Sequence, residues 1–178
     1  VGFPLYTELL ERAVRALRQG RIPELDADAR RHTEVELHLP ALIPDDYLGD
    51  VHTRLMLYKR IASAPDDEGL DRLTEEMVDR FGVLPPQTAN LFQVARLRLR
   101  AAALGIRKLE LGALGGRVLF FPNPPVDALV VIRMVQKLPK VYALDGPDKL
   151  KVRLELPGAA ERLRTAGDIL RVLGGQSG

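Results

Sequence analysis

Apolar residues recur every three to four positions over residues 4–19, where Leu5, Leu9, Leu10, Val14 and Leu17 share a face. Pro4 suits a first turn and Gly20 ends the run, so the spacing predicts an amphipathic helix. Residues 20–33 (GRIPELDADARRHT) lose that period and read as a linker or strap. At 34–39 (EVELHL) the period shortens to two. Val35, Leu37 and Leu39 fall on one side and Glu34, Glu36 and His38 on the other, which predicts a strand with one wet face. Three helices are then expected in close succession. The first, 50–64, has Asp50 as N-cap and Val51, Leu55, Tyr58 and Ala62 on one stripe. The second, 67–81, is capped by Asp66 or Asp67 and closed by Gly82 in a left-handed turn. The third, 86–104, starts at Pro85-Pro86. Beyond residue 105 the period of two returns. Strands at 106–111 and 117–121 flank a turn supplied by Gly115-Gly116. A helix at 126–138 follows, then strands at 140–144 and 149–154 around Asp145-Gly146, a helix at 158–173, and a fraying GGQSG tail.

This order describes an α+β fold: an N-terminal layer of three consecutive helices, then a small, mainly antiparallel sheet in β-β-α-β-β-α order. Residues 34–178 form the expected domain, and residues 1–33, a helix plus linker, trail outside it. A chain of 178 residues suits one domain with an appendage. The absence of cysteine removes disulfides and thiolate metal sites and fits a reducing, cytoplasmic setting. Apolar runs such as 128–132 are too short to span a bilayer. The formal charge of +2 hides an asymmetry: residues 45–80 carry ten acids against five bases, and residues 96–153 carry twelve bases against four acids. One half is suited to a basic partner, the other to an acidic one, unless the two simply solvate.

Catalytic and cofactor signatures are missing. No glycine-rich loop ends in Lys-Ser or Lys-Thr, and Gly112, Gly115 and Gly116 lie in a hairpin rather than at a helix N-terminus. His32, His38 and His52 share no metal-ligand spacing, and Ser63 has no base nearby in sequence. Asp45-Asp46 reads as a turn in PDDY rather than a carboxylate pair. The helix at 67–81 is more informative. Leu70, Leu73, Met77 and Phe81 make a narrow apolar arc, and Glu68, Arg72, Glu75, Glu76 and Asp79 lie opposite. Glu76 and Asp79, three apart, are surface neighbours whose carboxylates suit a partner offering arginine. The helix at 86–104 is apolar on several sides and reads as a central strut, its arginines at the rim. Arg96 and Arg100, with Arg107 and Lys108 beyond, form a possible basic contact surface. The alternative function is therefore a nucleic-acid-binding accessory domain using 96–153, although no aromatic side chains interleave with these cations.

Four segments, LPALIPDDYLGDVHTRLMLYKRIA, VDRFGVLPP, ARLRLRAAALGIRKLEL and LDGPDKLKVRLE, in this order over roughly residues 34–155, resemble the C-terminal domain of bacterial transcription-repair coupling factors. The opening VGFPLYTELLERAVRAL looks like the stretch following the translocation motif in the same proteins. What the resemblance implies is a regulatory domain of an ATP-driven translocase that contacts double-stranded DNA, stalled RNA polymerase and the excision-repair protein UvrA. The motor motifs, with their ATP and Mg, are not in this sequence, so no enzymatic activity and no cofactor are expected of it. The family's C-terminal module docks on the N-terminal UvrA-binding module of the same chain, masking it and restraining the motor until polymerase is engaged. Its docking acids precede an Arg-Phe-Gly triplet. Here those positions are Glu76 and Asp79 ahead of Arg80-Phe81-Gly82, with Arg72 one turn earlier. The implied location is the bacterial cytoplasm, with no membrane partner.

Overall fold

The structure, a computed structural model, describes Val14, Arg18 and residues 32–175. Most of the helix expected at 4–19, most of the linker and the last three residues lie outside the described residues. The elements run in the order β1 (Glu34–Glu36), α1 (Val51–Ser63), α2 (Asp67–Phe81), α3 (Pro86–Ala103), β2 (Ile106–Gly112), β3 (Gly115–Phe120), α4 (Ala128–Lys137), β4 (Tyr142–Leu144), β5 (Lys149–Arg153) and α5 (Ala159–Leu173). The fold is α+β, as the periodicities predict. The chain divides into two compact units. One holds Pro40–Arg96, and the other holds Thr33–Leu39 together with the chain from Leu97 onward.

The first unit consists of α1, α2 and α3 as far as Arg96. Asp50 caps α1 by accepting from the Thr53 amide at 3.1 Å, and Asp66 caps α2 by accepting from the Gly69 amide at 2.7 Å. Each satisfies an amide left open at a helix start. The expected α1 stripe is displaced. Leu57, Tyr58 and Ile61 are buried, whereas Val51 is exposed. This helix carries apolar side chains nearly all round, so its period leaves the buried face open and packing selects it. On α2 the buried arc is the expected one, with Leu70, Leu73 and Met77 inside. Gly82 does take a positive φ of 95°, but with ψ at −171° it is extended rather than left-handed helical. Residues 45–47 form the turn read from PDDY, closed by the Tyr47 and Leu48 amides donating to the Pro44 carbonyl. The Ile43 amide donates to the Tyr58 hydroxyl at 2.7 Å, both groups being buried.

The second unit is built on a five-stranded sheet in the order β1-β2-β3-β5-β4. β1 runs parallel to β2 and the other pairs are antiparallel. Leu109, Val118 and Leu150 pair in register across three strands and are completely buried. Their neighbours along each strand, such as Glu110, Arg117 and Lys151, stand in register on the opposite face. α5 packs against β2, and α4 packs against β4 and α5.

Several boundaries differ from expectation. β1 stops at Glu36 because His38 turns to a φ of 51°. The Arg162 guanidinium then takes up the carbonyls of Leu37 and His38, at 3.3 and 2.8 Å. The hairpin turn is Ala113-Leu114, not Gly115-Gly116. The two glycines open β3, where a Cβ on Gly115 would strike the Val152 carbonyl oxygen and one on Gly116 the Glu110 carbonyl oxygen. They are needed for close approach of three strands rather than for turning. β5 ends at Arg153, so Leu154 is exposed and Leu156 is buried in its stead.

Candidate docking surface

The helix α2 turns one side inward on Leu70, Leu73 and Met77, which fixes Glu68, Asp71, Arg72, Glu75 and Asp79 on the exposed side. Most of these charges are already engaged within the first unit. Arg96 from α3 reaches Asp67 at 3.5 Å and Asp71 at 2.5 Å. Arg72 pairs with Glu68 one turn back, at 3.3 Å. Glu76 is half-buried and accepts from Arg60 of α1 at 2.5 Å. It is thus not the idle surface acid the pattern implied: it braces α1 against α2. Asp79 is exposed and its side chain makes no hydrogen bond or ion pair among the described residues, and the same holds for Glu75. These two are four apart, so two unpaired carboxylates share one face. Sequence reasoning placed Glu75 on the wet face but did not pair it with Asp79. Its i, i+4 spacing to Asp79 is the signal that singles it out.

Next to these acids the chain presents a fixed apolar corner. The Arg80 guanidinium lies 4.8 Å over the Phe81 ring, a cation–π contact. Tyr47 meets the same ring edge-on at a centroid distance of 6.1 Å. The Tyr47 hydroxyl donates to the Gly82 carbonyl at 2.9 Å, pinning the triplet's last residue. Burial raises the pKa of that hydroxyl, so it stays a donor well above neutral pH. Val78 and Val83 remain exposed beside this corner, Val83 at 86%. On the other flank a groove of about 480 Å³ runs past Arg60, Ser63, Pro65, Arg72, Leu73 and Glu76. Arg72, Glu76, Asp79 and Arg80 therefore all stand on α2, spread over more than half of its length.

The cations of the basic stretch differ in their surroundings. Arg96 belongs to the first unit and is spent on Asp67 and Asp71. Arg98 is buried rather than at the rim, and desolvation lowers its pKa to about 10, which leaves it charged at neutral pH. Arg100 and Arg107 are exposed and Lys108 is half-buried, all in the second unit. Among the described residues no cluster of three or more His, Cys, Asp or Glu side chains is placed to hold a metal ion. No described helix is long and apolar enough to cross a membrane.

Residues 37–130, more than half of the chain, match the sequence profile of the TRCF domain. The chain belongs to the TRCF domain family. It is similar to the transcription-repair-coupling factor of Haemophilus influenzae, at 44% identity, and to that of Escherichia coli K12, at 45%. Each match covers 97% of this chain but 15% of the relative, so the chain spans a small part of those proteins. The Myxococcus xanthus factor is 36% identical over 86% of the chain. A crystal structure of the C-terminal domain of transcription-repair coupling factor superposes with a TM-score of 0.62 over 82% of this chain and 96% of that one. At 19% identity it speaks for the fold alone. The resemblance read from the four sequence segments is therefore a family relationship, and the TRCF domain supplies the frame that presents Glu75, Glu76 and Asp79.

Proposed function

We propose that this TRCF domain is a non-catalytic regulatory module that docks on the UvrA-binding module of its parent chain and holds a DNA-translocating motor in check. In this reading residues 34–178 are the regulatory domain. ATP and Mg belong to the motor, and engagement of stalled RNA polymerase releases the mask. The observation that supports it most directly is Asp79, an exposed carboxylate without a partner among the described residues, beside Glu76 and the Arg80-Phe81-Gly82 corner. A partner arginine can take Asp79 at no internal cost. Taking Glu76 means displacing Arg60, a half-exposed pair of the kind that contributes only about 0–1 kcal/mol. Charge-assisted pairs to both acids are enough for a modest equilibrium, since a tenfold bias needs about 1.4 kcal/mol.

The test is the Glu76→Ala, Asp79→Ala double variant in the full-length parent. Titrated with UvrA, it is expected to bind at least about tenfold tighter than the wild type, as an exposed surface would. Equal affinity of the two proteins sinks the masking reading.

A further inference from the structure

α4 (ALVVIRMVQK) is apolar at seven of its ten positions, yet Met134 is its one buried residue. Leu129 and Ile132, three apart and so on one outward face, are 57% and 42% exposed. Arg133 stands one turn beyond Leu129, Lys137 one turn beyond Arg133, and Lys140 just past the helix end. All three are exposed, and none of their side chains makes a hydrogen bond or ion pair among the described residues. Some other surface cations are engaged, Arg117 with Glu110, Lys149 and Lys151 with Asp145, Arg171 with Asp168, and those left unpaired among the described residues, such as Arg100 and Arg107, lie on other elements. α4 contains no acid of its own, and its N-cap Asp127 is occupied by the Leu129 amide at 2.9 Å. The helix dipole gives Lys137 a reason to sit where it does. It gives none for leaving Leu129 and Ile132 in water.

We propose that this outward face of α4 docks an acidic amphipathic helix of a protein partner. The partner's apolar residues, at i and i+3 or i+4, would cover Leu129 and Ile132, and its flanking carboxylates would meet Arg133 and Lys137. Charge complementarity is what selects this occupant. A neutral apolar helix would leave three cations unpaired. A nucleic acid would pair the cations but set phosphates against Leu129 and Ile132, on a helix that has no aromatic ring for bases to stack on. Nothing here depends on the masking reading, because Glu76 and Asp79 lie in the other unit.

The probe is a labelled helical peptide of Leu, Ala and Glu with its leucines on one face, titrated into the whole chain and followed by fluorescence anisotropy. A control peptide replaces the leucines by serine at equal charge, and a labelled DNA duplex is a third probe. The expected result is saturable binding of the leucine peptide, weakened at least about tenfold in the control. The variants Leu129→Ser, Ile132→Ser and, separately, Arg133→Glu, Lys137→Glu are each expected to weaken it by as much. These side chains are exposed, and circular dichroism checks that the helices persist. The proposal is overturned if the leucine peptide does not bind, if the control or the duplex binds equally well, or if the variants leave affinity unchanged. It is also overturned if sedimentation finds a dimer that Leu129→Ser, Ile132→Ser turns into monomers, since the face is then covered by a second copy.

Discussion

Tyr58 illustrates how much hangs on one atom. Its ring belongs to the first unit's core, and its hydroxyl accepts the buried Ile43 amide. Replacing Tyr58 by Phe preserves the ring and strands that amide, which costs about 1–3 kcal/mol. In urea unfolding we expect the midpoint to fall with an unchanged slope. No midpoint shift would mean that the amide finds another acceptor. The sequence placed Tyr58 correctly on an inward stripe, but a hydroxyl's partner fifteen residues away has no period to betray it. Glu76 is a second case. Its position on the wet side of α2 is visible in the heptad-like spacing, whereas its pairing with Arg60 depends on how α1 and α2 lie together.

At the scale of elements, Arg162 serves both the end of β1 and the approach to α5. Beyond the Leu37 and His38 carbonyls, its Nε donates to the Leu156 carbonyl at 2.8 Å, and Nη2 reaches that of Pro157 at 3.4 Å. One guanidinium thus ties the exit of β1 to the loop before α5. Arg162→Ala is expected to destabilise the chain by about 1.5–3 kcal/mol, as for hydrogen bonds to a charged donor. Arg162→Lys should restore only part of this, because an ammonium lacks the planar fork. Chemical denaturation of the three proteins checks the order, and a Lys variant as stable as wild type would contradict it. Alternation over 34–39 could not reveal this stop, since Leu37 is buried as the pattern requires even though the strand has already ended.

For the molecule as a whole, the charge asymmetry along the sequence becomes an acidic first unit and a basic second one. Within the second unit Glu110 sits among cations. Burial by itself would raise its pKa, but the hydrogen bond from His38 at 3.0 Å, with Lys108 and Arg117 nearby, outweighs that and holds it below the ordinary 4.5. A carboxyl depressed in the folded state binds fewer protons there than in the unfolded chain. Its contribution is therefore complete above the unfolded value and is lost as pH falls through the folded one. Between about pH 5 and pH 3 the wild type should lose stability more steeply than Glu110→Gln, as read from urea midpoints across that range. Parallel profiles would show that Glu110 carries no such linkage.

Periods of 3.6 and 2, the aspartates at helix starts and the four family segments were enough to determine the element order, the α+β class and the family. Each of these is written in neighbouring residues or in contiguous motifs. Which side of α1 is buried, where β1 stops, why Gly115 and Gly116 must be glycine, and that Arg96 and Glu76 are occupied while Glu75 and Asp79 have no partner among the described residues were decided only by the tertiary structure. Those outcomes depend on distances between residues far apart in the chain, and a charge or an apolar side chain acquires its role only when packing determines what stands opposite it.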